Sequence, residues 1–121
     1  MSNKLIFNCT SGKEHAERAT LPFVAANIAA IAGQETFVLC TIEAVWLGTE
    51  GGLDGIEADG LPKLADLYAE FVENGGQVWL CGACTKPREI TEDMLTKGTA
   101  IIGAAKVVEE ISNGAKTVAF A

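Results

Sequence analysis

Short apolar runs alternate along this chain with longer stretches in which apolar residues recur at helical spacing. Runs rich in β-branched and aromatic residues, closed by Gly, Asn or Pro, mark buried strands, whereas a period near 3.6 marks amphipathic helices. Leu5-Ile6-Phe7-Asn8-Cys9 is predicted as a first strand, and residues from about Glu14 to Ala32 as a helix stopped by Gly33. Pro22 falls inside that pattern and predicts a kink or a fresh start after Thr20. Thr36 to Ile42 reads as a second strand. A long loop with five glycines follows from Glu43 to Gly60, and Trp46 argues that it is ordered. Pro62 suits the first turn of a second helix with Leu64, Tyr68, Phe71 and Val72 on its apolar stripe, ended by Gly75-Gly76. Val78 to Cys81 is a third strand. Thr91 is a candidate N-cap for a short third helix that Lys97-Gly98 closes. Thr99 to Ile102 is a fourth strand. A fourth helix spans Ala104 to Ser112, with Ala104, Val107, Val108 and Ile111 inward and Lys106, Glu109 and Glu110 outward. Thr117 to Phe120 is a fifth strand.

Strict alternation of strand and helix, with no hairpin signal, predicts an α/β fold in which helices cover both faces of a five-stranded parallel sheet. The 121 residues suit one domain over 1–121. The 49% hydrophobic content and mean hydropathy of +0.25 fit a sheet buried on both faces, or such a sheet plus a subunit interface. No run reaches the roughly 20 apolar residues of a membrane span. Met1-Ser2-Asn3-Lys4 leads straight into the first strand without the pattern of a secretory signal, so a cytoplasmic location is expected. The net charge of −7 and the absence of a Lys/Arg cluster argue against direct contact with nucleic acid.

In an open parallel sheet, sites form beyond the carboxyl ends of the strands. Cys9 and Cys81 end strands there and Cys40 lies late in its own, so the chemistry to look for is that of thiols. Cys81-Gly82-Ala83-Cys84 is the leading motif. Such a pair can exchange electrons, hold half a metal site, or carry sulfur on one thiolate; two buried cysteines packing as small hydrophobes is the plain alternative. Gly82 and the basic stretch Thr85-Lys86-Pro87-Arg88 suit a site better than a core, and Lys86 and Arg88 supply positive charge for a thiolate. Structural zinc needs four ligands, commonly two such pairs. Only one pair is present, and His15, Cys9 and Cys40 would have to complete the set, so no metal and no cofactor are expected. His15 reads as a surface residue and Cys40 as core. Cys9 reads as packing, with a role beside the site as the alternative. Thr10-Ser11-Gly12-Lys13 lacks the spacing of a phosphate loop, and the glycines from Gly48 to Gly55 are not a dinucleotide fingerprint. Asp54, Glu57 and Asp59 read as solvated loop charges.

Three stretches carry a family likeness: Gly51 to Gly60, Phe71-Val72-Glu73-Asn74-Gly75-Gly76, and above all Val78-Trp79-Leu80-Cys81-Gly82-Ala83-Cys84-Thr85-Lys86-Pro87-Arg88. With them the chain resembles the DsrE/DsrF/TusD-like family of small sulfur-relay proteins over nearly its whole length. The resemblance implies a three-layer α/β/α fold of the DsrE/F type, a sheet order near 4-3-2-1-5, and assembly into homotrimers or hexamers. In the family, a cysteine at the end of the third strand, a few residues before an arginine, accepts sulfane sulfur as a persulfide. Cys81 and Arg88 match those positions. Cys84 matches only a subset of members, and Glu89 stands where many have glycine. The expected function is therefore sulfur relay through Cys81, with Cys84 as second thiol and Arg88, Lys86, Thr85, Cys9 and Trp46 lining the site. Sulfur donors and acceptors, proteins or small sulfane-sulfur molecules, are the implied partners. Two alternatives stay open: a dithiol/disulfide redox protein using Cys81 and Cys84, and a non-catalytic oligomeric module that binds a ligand or a partner protein.

Overall fold

A computed structural model describes residues 3–120. Met1 and Ser2, part of the stretch read above for a secretory signal, lie outside them. Five strands, β1 (Leu5–Cys9), β2 (Thr36–Cys40), β3 (Gln77–Cys81), β4 (Thr99–Ile102) and β5 (Lys116–Ala119), form one sheet in the order β4-β3-β2-β1-β5. Every pairing is parallel. This is the expected α/β architecture, with the strand order that the family resemblance implied.

The helices are α1 (Ala16–Ile31), α2 (Leu64–Glu73), a single turn α3 (Gly82–Thr85) and α4 (Ala104–Ser112). Alternation along each strand sends side chains to two apolar layers. The larger lies under α1 and α2 and holds Phe7, Cys9, Val38, Cys40, Val78 and Leu80 with Phe23, Leu64 and Phe71. The smaller gathers Ile6, Phe37, Leu39 and Trp79, packed against Val107 of α4, with Phe37 stacked on Trp79 at 4.0 Å. No helix among the described residues is long and apolar enough to cross a membrane.

Several boundaries differ from the expectations. Helix α1 runs unbroken through Pro22, which is buried. Its N-cap is His15, whose Nδ1 accepts the Arg18 N–H at 3.3 Å, so the exposed histidine has a local structural task. Strand β2 stops at Cys40, because Ile42 turns to a left-handed φ of 56°. The glycine-rich loop begins as a 3-10 helix over Ile42–Gly48. A Cβ at Gly52 would fall 1.7 Å from the Trp46 carbonyl oxygen, so the chain folds back there only because that position is glycine. The helix predicted after Thr91 is a three-residue 3-10 turn, Glu92–Met94; helical structure comes earlier, directly after Cys81.

Helix α4 is the largest correction. Val107 faces the sheet as expected, but Ala104, Val108 and Ile111 are exposed and Glu110 is buried. Glu110 is drawn inward by Lys4, whose ammonium donates to both carboxylate oxygens at 2.8 and 3.1 Å. The pair holds the Glu110 pKa below its ordinary value, and the same hydrogen bond to Glu110 raises that of Lys4.

A candidate thiol site

Four cysteines meet the carboxyl edge of the sheet, and the pleat divides them. Cys9 and Cys40 are register partners on β1 and β2, both enclosed in the larger layer. The Cys9 thiol reaches the Ser11 and Ala19 carbonyl oxygens at 3.6 and 3.7 Å. Hydrogen bonding with Cys9, reinforced by burial, pushes the Cys40 pKa well above the ordinary thiol value. Cys40 is core, as expected. Cys9 is core as well: it is 1% exposed, so it does not line an opening beside Cys81.

Cys81 faces the other way. It ends β3 half-buried, paired through its Cα with Ile102. It lines a cleft of about 200 Å³ under α4, together with Leu39, Thr41, Ile102, Gly103, Ala104, Val107 and Val108. Gly103 is the N-cap of α4, so the first turn of this nine-residue helix forms one wall. Amides in a first turn have no partner within their helix and carry partial positive charge.

Cys84 is also half-buried, but it packs against the larger layer. Its sulfur accepts the backbone N–H of Ile42 at 3.1 Å. Ile42 holds the left-handed conformation that a β-branched side chain rarely adopts, and this turn aims its amide at the sulfur. The next residue, Glu43, receives Arg88 Nε and Nη2 on one carboxylate oxygen at 3.1 and 2.9 Å. Arg88 Nη1 donates to the Cys84 carbonyl at 3.0 Å. The corner after β2 thus grips the cysteine loop at the Cys84 sulfur and at Arg88, which in turn holds the Cys84 carbonyl.

This geometry places the remaining predicted residues. Arg88 binds the loop, with its charge spent on Glu43 rather than on the cleft of Cys81. Lys86 is exposed. Thr85 is buried, its hydroxyl donating to the Gly82 carbonyl at 3.2 Å, and it closes the single turn of α3. Trp46 lies outside the Cys81 cleft and borders a larger cavity of about 630 Å³ with Lys13, Glu14, Glu43, Glu50 and Asp54. No cysteine lines that larger cavity. Ile42, Glu43 and Gly103 were not anticipated. Ile42 carried no signal, since an isoleucine at a strand end predicts more strand. Among the described residues, no group of three His, Cys, Asp or Glu side chains could hold a metal ion.

The sequence model of the DsrE/DsrF-like family matches residues 3–120. The chain belongs to the DsrE/DsrF-like family. Among curated proteins, it is 26% identical over 103 residues to the uncharacterized protein MJ0760 of Methanocaldococcus jannaschii, an alignment covering 85% of this chain and 38% of that protein. The chain therefore spans well under half the length of that relative. It is 25% identical over 104 residues to the uncharacterized protein MK0008 of Methanopyrus kandleri, covering 86% and 83% of the two chains. Of solved structures, YchN from Escherichia coli superposes with a TM-score of 0.79 at 16% identity, over 99% of this chain and 100% of that one. MTH1491 from Methanobacterium thermoautotrophicum gives 0.68 at 13% identity, over 97% and 98%. At such identities the structural likeness is one of fold.

Proposed function

We propose that this protein is an intracellular sulfur-relay protein that accepts sulfane sulfur as a persulfide on Cys81 and passes it on. The observation that carries the reading is the position of Cys81: a half-buried thiol at the end of a central strand, in the wall of a cleft at the N-terminal end of α4. The Cys81 thiolate attacks the outer sulfur of a donor R–S–SH. A new S–S bond forms, the donor's S–S bond breaks, and R–S⁻ leaves with the electron pair. An acceptor thiolate then attacks the terminal sulfur of the Cys81 persulfide and releases Cys81 as thiolate, so the two steps involve no net oxidation. Donors and acceptors are proteins or small sulfane-sulfur molecules.

The test is intact mass of the reduced chain after incubation with a sulfane donor. An adduct of about 32 Da, one sulfur atom, is expected in the wild type and in Cys84→Ser and is lost in Cys81→Ser. Persistence of the adduct in Cys81→Ser rules out Cys81 as acceptor.

One observation favours a second reading. The Ile42 amide donates to the Cys84 sulfur at 3.1 Å and so fixes that thiol three residues after Cys81. Cys84 then attacks the inner sulfur of the Cys81 persulfide, forms a Cys81–Cys84 disulfide and expels hydrosulfide; a dithiol reductant returns both thiols. Hydrosulfide released in stoichiometric amount, and abolished by Cys84→Ser, is its signature. Assembly into homotrimers or hexamers belongs to the same proposal. Ile28 and Ile31 on α1, 65% and 61% exposed, supply apolar surface for it. Light scattering of the wild type and of Ile28→Lys checks this.

A further inference from the structure

We propose that the donor to Cys81 is a hydropersulfide R–S–SH whose R is uncharged and apolar, a short alkyl or aryl group, in preference to an anionic carrier such as thiosulfate. The inference deepens the sulfur-carrier reading above and rests on it. Leu39 and Ile102 from the sheet and Ala104, Val107 and Val108 from α4 surround the thiol, and no charged side chain lines the cleft. Its volume of about 200 Å³ compares with the roughly 150 Å³ of a cavity that accepts benzene. An aryl group therefore fits, with its sulfur directed at Cys81.

Charge points the same way. An anion entering this cleft gives up hydration and meets no counter-ion, which is costly. Arg88, the cation that family likeness would put at the site, is held by Glu43 and the Cys84 carbonyl. The chain's net charge of −7 opposes the approach of anions from a distance. The protonated form, R–S–SH, which is also the form that the Cys81 thiolate attacks, escapes both penalties when R carries no charge. Negative charge, once it passes from Cys81 to the departing R–S⁻, lies beside the first turn of α4. The step is the one written above: the Cys81 sulfur bonds the outer sulfur of the donor, the donor S–S bond breaks, and R–S⁻ departs with its electron pair.

The experiment follows the initial rate of the adduct of about 32 Da on the full, reduced chain with benzyl hydropersulfide, glutathione hydropersulfide and thiosulfate. Each rate is divided by that of free cysteine with the same donor, which removes intrinsic donor reactivity. The normalised rate with the benzyl donor is expected to exceed the other two by about tenfold or more. Ala104→Trp, at an exposed position, fills the cleft; it is expected to lower the benzyl rate more than the glutathione rate, so that the benzyl preference is lost. Val108→Lys, also exposed, places a cation at the mouth and is expected to shift the preference toward thiosulfate. Equal normalised rates, or faster anionic donors, with Cys81 still loading, overturn the donor class and leave the carrier reading standing. Full benzyl preference in Ala104→Trp overturns the assignment to this cleft. No adduct from any donor on a chain shown to be folded by circular dichroism overturns both readings together.

Discussion

Cys81 and the pair Cys9 and Cys40 lie at the same edge of the sheet, yet they occupy different chemical surroundings. Cys9 and Cys40 face each other across β1 and β2 inside the larger core. On β3 the residue in register with Cys40 is Leu80, and Cys81 lies one residue beyond it. A displacement of one residue along a strand sends a side chain to the other face. That single step moves a thiol from the buried core to the wall of an open cleft. Proximity to a strand end is therefore a weak guide to reactivity; the pleat is the better one.

The sharpest way to break this contrast is native-state alkylation followed by peptide mapping. Cys81 is expected to react roughly a thousandfold faster than Cys9 or Cys40, which are reached only through opening of the core. Comparable labelling of Cys40 without loss of structure would erase the distinction. Stability should divide the same way. Cys40→Ser leaves a hydroxyl in the core and is expected to cost roughly 1–3 kcal/mol in chemical denaturation, whereas Cys81→Ser should stay within about 0.5 kcal/mol.

Helix α4, whose first turn walls the Cys81 cleft, is tied to the segment before β1 by Lys4 and Glu110, a link that is sensitive to acid. Because the folded pKa of Glu110 is lowered from 4.5, its contribution is complete above pH 4.5 and is lost as pH falls through the folded value. Lys4, raised from 10.5, contributes fully below that pH and loses its share as pH rises through its own folded value. Glu110→Gln is expected to lower Tm near neutral pH, with the gap to wild type closing under acid; a gap independent of pH would contradict the pairing.

Smaller effects probe the grip on Cys84. Arg88→Met should cost about 1 kcal/mol or less, since Glu43 is partly exposed, while Cys84 is alkylated faster than in wild type. Unchanged Cys84 labelling would show that Arg88 does not position that thiol. The least of the series is Glu89→Gly. Glu89 takes φ 57° and ψ 33°, where glycine is at ease, and the replacement should stabilise by a few tenths to about 1 kcal/mol. A loss on equilibrium unfolding would show that the Glu89 side chain makes up for its backbone strain.

Local patterns sufficed for the strands and the sheet class, because buried parallel strands read as near-continuous apolar runs. What failed depended on partners distant in sequence. Helical periodicity alone puts Val108 and Ile111 inward, but Lys4, 106 residues from Glu110, rotates α4 the other way. Arg88 reads as a cation for a thiolate until Glu43, 45 residues earlier, is seen to hold it. The helix expected at Thr91 had sound capping chemistry, but only a three-residue turn forms there. The glycine preferred by the family after the arginine now has a physical reason in the left-handed turn at Glu89.

The strand order also shapes how the molecule comes into being. One flank of β1 meets β2 early, but the other waits for β5, with Leu5 opposite Lys116. At ribosomal speed, roughly 4–15 s separate completion of β2 from synthesis of β5. Through that interval β1 presents an unsatisfied hydrogen-bonding edge to every neighbouring nascent chain. The order that assembles the thiol edge thus leaves the newborn protein with a period of exposure that a folding helper is well placed to cover.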